Sequence, residues 1–523
     1  MNVVRDSRLI GVLLGVCMLG GCVGADAGDE AAAPASDVSA EDQQLFAEVT
    51  DEASALAAIR SQPGLSDRVF VAKLSGGEEV PAVDTSADGF AVVLLDQAHG
   101  KIAVALRHNV YGPTDGHLHQ ASGGENGPVA IALAHFRDGD ISTVMINASQ
   151  IAALRAGKLY INVHSGAHTA GEIRGQVLRP GETLFVAPLD GAQETPPHAT
   201  SSTGIATFVL NAAHDQAHFR YTSAGFVVTV AHLHRGIAGT AGPVAMELPV
   251  ATTAEGDLDL TPEQASDLEG GFFYVNLHSA ANVKGEVRGQ VLLPGEKLYS
   301  ANLTGEQEVP PVTTTNTASA MIIANPARDA FRYVLTTTAT PTDEHLHWGP
   351  GGFNGPIAIP FTQVGKTSTG TASLTVAHAA DLDAGRLYAN VHTAAFPRGE
   401  LRGQILKPGE TLYTAVLTAA NEVPARMNDA TGGVSFILDF ARSNVRFEGV
   451  VANLMPTAAH IHAGAAGVNG AVVRELGFSG TRIAGAFDIG AADLASFDAS
   501  TQYVNVHSMD FPMGAIRGQI TKK

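Results

Sequence analysis

One sixteen-residue motif occurs four times along this chain of 523 residues. It reads "INVHSGAHTAGEIRGQ" at 161–176, and similar stretches occupy 275–290, 389–404 and 504–519. Its arginine recurs every 114 or 115 residues, at Arg174, Arg288, Arg402 and Arg517. Repeats of this length are self-sufficient domains rather than the short units of a solenoid. The chain is therefore expected to fold as four copies of one module.

Two further motifs fix the module boundaries. Each copy opens like "LSGGEEVPAV" at Leu74 and carries a central stretch like "GHLHQASGGENGPVAI" at Gly116. Short Pro-Gly turns such as "RPGET" join the copies, so neighbouring modules are expected to stack. The predicted modules are 67–181, 182–295, 296–409 and 410–523.

Hydrophobic periodicity predicts an all-β fold. Stretches such as "KIAVALRHNV" alternate apolar and polar residues as half-buried strands do, and glycine-rich stretches break them into loops. The 57 glycines, 25 prolines and only 6% aromatic residues also favour short strands joined by turns. Each module is predicted to be an antiparallel β-sandwich or barrel with at most one short helix.

The N-terminus predicts export from the cytoplasm. Arg5 and Arg8 precede a short apolar run that ends in "LGGC" at Cys22, which indicates a signal peptide over 1–21. The ending resembles the bacterial lipobox, in which the cysteine becomes the lipidated first residue; an ordinary signal peptide is the alternative. Cys17 lies inside the removed segment, so no disulfide or thiolate metal site is expected.

Residues 22–66 are predicted to be an acidic, alanine-rich tether that contains one short helix, at 41–60. The lipid would hold the protein on a bacterial membrane, facing the periplasm or the cell surface. Val23 after the cysteine favours the outer over the inner membrane. The net charge of −20 argues against nucleic acid as a partner, because phosphate contacts need clustered lysine and arginine.

The recurring motifs resemble those of the CHRD (chordin) domain family. The resemblance rests on Glu-Val-Pro, on His-x-His followed by a glycine-rich loop, on Tyr-x-Asn-x-His and on Gly-Glu-x-Arg-Gly-Gln, and it covers all four copies. It implies an immunoglobulin-like β-barrel, distantly similar to copper/zinc superoxide dismutases, in an extracytoplasmic protein. The dismutase's bridging histidine and zinc-binding aspartate cluster have no counterpart in any copy.

Three histidines per module form a candidate metal site. Residues i and i+2 of a strand share a face, so the two histidines of each His-x-His project together, and a third can join them from the Asn-x-His strand. Three imidazoles can bind zinc. The same nitrogens can bind copper, which divalent-metal sites generally bind more tightly than zinc when both are available. A second interpretation is structural, with these side chains bonded to loop carbonyls. The set comprises His117, His119, His164, His232, His234, His278, His345, His347, His392, His460, His462 and His507.

Glutamates near the motif arginines are predicted to form structural ion pairs, because a buried guanidinium needs partners. The predicted sets are Glu79, Glu172 and Arg174; Glu194, Glu286 and Arg288; Glu308, Glu400 and Arg402; and Glu422 with Arg517. The fourth module has Ala515 in place of the second glutamate, which argues against a catalytic role for that residue.

Three functions follow from these patterns. The first is a non-enzymatic lipoprotein that presents four modules as a binding or structural array to an unknown protein or glycan, since arrays gain avidity. The second is a zinc- or copper-binding protein with one site per module. The third, an enzyme of the His₃-zinc hydrolase type, is disfavoured, because the only recurrent carboxylates are assigned to arginines and no catalytic residue is identified.

Overall fold

The computed structural model describes residues 38–362 and 364–523. The predicted signal peptide, Cys22 and the first part of the tether lie outside the described residues. Within the described ranges, the structure contains no helix with the length and apolar character needed to span a bilayer.

Two helices precede the first module, where the sequence predicts one. Helix α1 spans Ala40–Glu48 and α2 spans Glu52–Ser61. The break between them comes from capping: the Asp51 side chain accepts a hydrogen bond of 2.8 Å from the backbone N–H of Ser54 and so starts a new helix.

Each module contains one α-helix, as predicted, among eight to ten strands. The first comprises β1 (Val69–Ser75), β2 (Asp88–Asp96), β3 (Lys101–His108), β4 (Pro113–Gln120), β5 (Val129–Ala132), β6 (Ile141–Met145), α3 (Ala148–Arg155), β7 (Leu159–Ser165) and β8 (Ile173–Gln176). The second comprises β9 (Thr183–Leu189), β10 (Thr203–Leu210), β11 (Gln216–Ala224), β12 (Val230–Arg235), β13 (Val244–Glu247), β14 (Thr253–Asp259), α4 (Pro262–Gly270), β15 (Phe273–His278) and β16 (Val287–Gln290).

The other two modules repeat this order. The third comprises β17 (Lys297–Leu303), β18 (Ala318–Ala324), β19 (Ala330–Thr337), β20 (Pro341–Trp348), β21 (Ile357–Pro360), β22 (Thr367–Ser373), α5 (Val376–Ala384), β23 (Leu387–Thr393) and β24 (Leu401–Gln404). The fourth comprises β25 (Thr411–Thr418), β26 (Thr431–Leu438), β27 (Asn444–Ala452), β28 (Ala458–Ala463), β29 (Val472–Glu475), β30 (Phe478–Ser479), β31 (Arg482–Asp488), α6 (Ala491–Asp498), β32 (Gln502–His507), β33 (Ile516–Gln519) and β34 (Thr521–Lys522).

Two antiparallel sheets form each module, which confirms the all-β prediction. In the second module, the first sheet has the order β14-β11-β10-β9 and the second sheet the order β13-β12-β15-β16. In the first module, the corresponding sheets are β6-β3-β2-β1 and β5-β4-β7-β8, and a pairing of Ser75 with Arg174 joins them along one edge. The pairing of Thr418 with Arg517 does the same in the fourth module. Gly175 permits the approach in the first module, because a Cβ there would stand 2.3 Å from the Lys73 carbonyl oxygen.

Apolar side chains from both sheets fill the space between them. In the first module, Phe70 and Val93 of the first sheet meet Leu118, Ile161 and Val163 of the second sheet, all at most 1% exposed. Complete burial of such a side chain stabilises the fold by roughly 1.5–3 kcal/mol. Because side chains alternate along a strand, the residues between these point outwards from the second sheet.

Successive modules pack directly on each other. The glycine-rich loop of one module lies on the outer face of the next module's first sheet: a Cβ on Gly124 would stand 2.8 Å from Val186 Cγ1, and one on Gly351 would stand 2.6 Å from Thr414 Cγ2. Between the second and third modules, Ala238 packs with Met321 in a buried apolar cluster. The predicted stacking is therefore a repeated, close-fitting interface.

The N-terminal helices occupy the same kind of face on the first module. Leu45 and Phe46 of α1 are buried against Val71, Val92 and Leu94 of the first sheet. The part of the tether that the structure describes, which includes the predicted helical stretch 41–60, is therefore packed onto the first module. It covers the apolar face that a preceding module would otherwise cover, as terminal caps of repeat arrays do.

Candidate metal centre

The three histidines predicted for each module lie on the outer face of the second sheet. In the first module, β4 and β7 pair so that His117 stands opposite Asn162, and Asp115 stands opposite His164. Leu118, between the two histidines of β4, is fully buried on the inner face. The strand alternation inferred from the sequence thus brings the three imidazoles together on one surface.

In every module, one nitrogen from each of the three rings lies within 4.8 Å of the other two. In the fourth module, His460 Nδ1 and His507 Nε2 are only 3.0 Å apart. Four-coordinate zinc with bonds of about 2.0–2.1 Å holds its nitrogens roughly 3.4 Å from each other. The spacing is therefore compatible with one metal ion bound by three imidazoles.

Backbone carbonyls fix the tautomer of two of the three rings. In the first module, His119 Nδ1 lies 2.9 Å from the Gly127 oxygen and His164 Nδ1 lies 3.0 Å from the Thr169 oxygen. A carbonyl only accepts, so both Nδ1 atoms carry the proton and both Nε2 atoms present a lone pair. The equivalent bonds are His234–Gly242, His278–Val283, His347–Gly355, His392–Pro397, His462–Gly470 and His507–Pro512.

The nitrogens that face each other are buried and lack hydrogen-bond partners. In the first module these are His117 Nδ1, His119 Nε2 and His164 Nε2. The same three atoms are unpaired in the second and third modules, at His232, His234 and His278 and at His345, His347 and His392. Buried polar atoms are normally satisfied, so three converging and unpaired lone pairs form a group that could hold a cation.

The chemistry of the donor set fits zinc or copper. The group holds nitrogens alone, and imidazole suits these metals, whereas magnesium and calcium prefer oxygen ligands. Burial lowers the pKa of His119, His234, His347 and His462, which favours the neutral, metal-binding form. The carbonyl bonds to Nδ1 are the outer contacts that metal-ligating histidines typically make.

A tyrosine and the motif arginine support the second histidine of each set. The Tyr160 ring stacks on His119 with centroids 4.9 Å apart, and Arg174 Cζ lies 3.5 Å from the centre of the Tyr160 ring. The Tyr160 hydroxyl accepts a hydrogen bond from Gly127 N–H, in the loop whose carbonyl orients His119. The other stacks are His234–Tyr274–Arg288, His347–Tyr388–Arg402 and His462–Tyr503–Arg517.

The predicted ion pairs of these arginines do not form among the described residues. Arg174 instead donates to the Glu125 backbone oxygen at 2.7 Å and to Asn126 Oδ1 at 3.2 Å, because its guanidinium group reaches the glycine-rich loop. Arg288, Arg402 and Arg517 likewise donate to loop carbonyls. The arginine therefore holds the loop over the second sheet.

The second glutamate of each predicted set binds elsewhere. Glu172, Glu286 and Glu400 accept hydrogen bonds from the hydroxyls of Thr85, Thr200 and Thr314. These bonds secure the loop that follows the first strand. In the fourth module, where Ala515 replaces the glutamate, Asn428 donates to the Ala515 backbone oxygen and makes the equivalent link.

The first glutamate of each set pairs with the asparagine of Asn-x-His. Glu79 accepts a bond of 3.3 Å from Asn162 Nδ2, while Glu79 Oε1 and Asn162 Oδ1 are buried and unpaired. Both oxygens lie 2.5 Å from where a Cβ on Gly171 would stand, so they face one small space. Burial raises the pKa of Glu79 to about 7, although Arg174 opposes the shift. A protonated Glu79 can donate to Asn162 and complete a two-bond pair.

Sequence reasoning missed the role of the tyrosine. The available signal was the period of two in Tyr-x-Asn-x-His, which places Tyr160, Asn162 and His164 on one face. It also missed Asp115, two residues before His117, whose Oδ1 lies 3.2 Å from His117 Nε2. The same period places this aspartate on the face of the site.

Comparison with known proteins agrees with the sequence motifs. The model of the CHRD domain matches residues 70–177, 185–291, 299–405 and 413–520. A search of curated proteins gave no match. The four matched segments cover most of the chain and coincide with the four sandwiches, so this protein belongs to the CHRD domain family, with four tandem copies.

Proposed function

We propose that this protein binds transition-metal ions outside the cytoplasm, with one zinc or copper ion in each CHRD module. The observation that carries the proposal is the convergence of three histidine nitrogens in all four modules, with all three nitrogens buried and without hydrogen-bond partners in the first three. A purely structural role would use these nitrogens in hydrogen bonds to the protein. Instead, the second and third histidine of each triad bond carbonyls through the opposite nitrogen of the ring.

The test is a thermal melt of the full chain with and without zinc or copper. A ligand present at 100 times its dissociation constant stabilises a folded protein by about 2.7 kcal/mol, so the melting temperature should rise with metal concentration. The matched control carries alanine in place of His99, His214 and His218, which pair with acidic side chains on the surface. Its melting temperature should respond to metal as that of the parent does. An unchanged melting temperature in excess zinc and in excess copper would contradict the proposal.

We also propose that Cys22 carries a lipid that anchors the chain to a bacterial membrane. The support is the sequence alone: a basic start, a short apolar run and the Leu-Gly-Gly-Cys ending. Replacement of Cys22 by serine should move the protein from the membrane fraction to the soluble fraction. Retention of the Cys22→Ser variant on the membrane would overturn the assignment.

A structural or binding array is the second candidate function. Its support is the close packing between modules, in which Gly124, Ala238 and Gly351 lie against the following module. Such packing presents four sites in fixed order to a partner protein or glycan. Binding of a protein or glycan by the metal-stripped chain would support this second function. If the chain bound such a partner only with metal present, metal binding would be favoured as the function.

A further inference from the structure

The four histidine triads differ in the residue two positions before the first histidine. The first and third modules carry Asp115 and Asp343 there, whereas the second and fourth carry Val230 and Ala458. Asp115 Oδ1 lies 3.2 Å from His117 Nε2, and Asp343 Oδ2 lies 2.9 Å from His345 Nε2. Only alternate modules can therefore place a carboxylate behind the first histidine.

The carboxylate completes the orientation of the triad. The Asp115 carboxylate lies beside His117 Nε2 and so favours a proton on that nitrogen, which leaves the lone pair of Nδ1 facing the other two rings. All three imidazoles of the first module then hold the tautomer that binds metal. A negative charge behind a ligating histidine also makes it a better donor to a cation.

The fourth module, which lacks the carboxylate, adopts the other tautomer of the first histidine, whereas in the second module, which also lacks it, His232 Nδ1 is unpaired. His507 Nδ1 keeps its proton against the Pro512 oxygen, so the short contact between His507 Nε2 and His460 Nδ1 requires a proton on His460 Nδ1. That proton occupies the position a metal would take. A metal ion must therefore displace it and reverse the tautomer of His460, which costs affinity.

We infer that the chain carries two classes of metal site in alternation, with tighter sites in the first and third modules and weaker sites in the second and fourth. The inference rests on the proposed metal-binding function. Loss of a partner behind a ligating residue typically lowers metal affinity 10–100-fold, so the two classes should differ by about that factor.

Competition titration of the full chain with zinc and a coloured chelator measures this difference. The parent should bind two ions tightly and two more at about 10–100-fold higher free zinc. The double variant Asp115→Ala, Asp343→Ala should show four weak sites, because no module then places this carboxylate behind its first histidine. The reverse variant Val230→Asp, Ala458→Asp should gain two tight sites.

Asp257→Asn is the matched control, because Asp257 pairs with His218 on the surface at 2.9 Å, away from every triad. It should leave the two classes unchanged. Four equivalent sites in the parent, or two classes that persist in the double alanine variant, would overturn the alternation and leave the proposed function standing. Absence of zinc and copper binding in all modules would overturn the proposed function and this inference with it.

Discussion

Arg174 and Tyr160 form a close cation–π contact, with the guanidinium carbon 3.5 Å from the centre of the ring. The Tyr160 ring stacks on His119, so the arginine, the tyrosine and a candidate metal ligand form one column. Arg174 is 1% exposed and its donors reach the backbone of the glycine-rich loop. The column links the loop, the second sheet and the site.

Replacement of Arg174 by methionine should destabilise the first module. The variant loses a buried cation–π contact of about 2 kcal/mol and charge-assisted hydrogen bonds of about 1.5–3 kcal/mol each. Hydrogen–deuterium exchange should become faster in β4 and β7. Arg179→Met is the control, since Arg179 is exposed, and should change little. Equal exchange in the two variants would contradict the structural role of Arg174.

Gly171→Ala should disrupt the pair between Glu79 and Asn162. The backbone at Gly171 has φ of +131°, and a Cβ would stand 2.5 Å from an oxygen of each partner. Strain of this kind costs on the order of 1–3 kcal/mol. Gly166→Ala, in the same loop, would meet no atom within 4 Å and should be tolerated. Thermal melts of the two variants make the comparison, and equal melting temperatures would show that the tight fit around Gly171 is unimportant.

The buried glutamates should make the protein less stable as the pH rises. The pKa of Glu79, Glu194 and Glu308 is about 7 in the folded chain against an ordinary value of 4.5, because burial disfavours the charged form. The folded state therefore binds more protons between these values, and stability falls as pH rises from about 4.5 to 7 and stays lower above that.

The variant with glutamine at Glu79, Glu194, Glu308 and Glu422 isolates this effect. Glutamine is neutral at every pH and can still pair with the neighbouring asparagine. We expect the melting temperature of the parent to fall more steeply between pH 5 and pH 8 than that of the variant. Parallel curves would mean that these carboxyls do not control the pH dependence.

Phe46→Ala should release the N-terminal helices from the first module. Phe46 is 3% exposed and packs against the first sheet, and loss of a buried phenylalanine typically costs about 3–5 kcal/mol. Trypsin should then cut faster after Arg60, which lies at the exposed end of α2. Gln44→Ala, on the exposed side of α1, should leave cleavage unchanged. The cap assignment fails if the two variants are cleaved at the same rate.

Repetition and the period of two made the modules and the histidine triads predictable. Both features depend on local rules: a strand alternates faces, and Asn-x-His therefore places Asn162 and His164 together. The partner of Arg174 was not predictable in this way. Its guanidinium reaches a loop whose path depends on tertiary packing, and nothing in the sequence distinguishes a loop carbonyl from Glu79 as the acceptor.

The packing of the N-terminal helices on the first module was not predictable from the sequence either. Residues 41–60 have a helical pattern, but the apolar face that Phe46 covers belongs to strands more than twenty residues away. The difference between the Asp115 and Val230 sites is visible in the sequence, yet its meaning required the distance from Asp115 to His117 Nε2.

Elemental analysis of the full chain, purified without chelator or affinity metal, is the decisive test of metal binding by the histidine triads. The comparison is the variant with alanine at His164, His278, His392 and His507, with folding checked by circular dichroism. We expect zinc or copper in the parent, approaching four ions per chain on saturation, and little in the folded variant. A folded parent that holds neither metal after saturation and desalting would contradict metal binding and leave the histidines with a structural role.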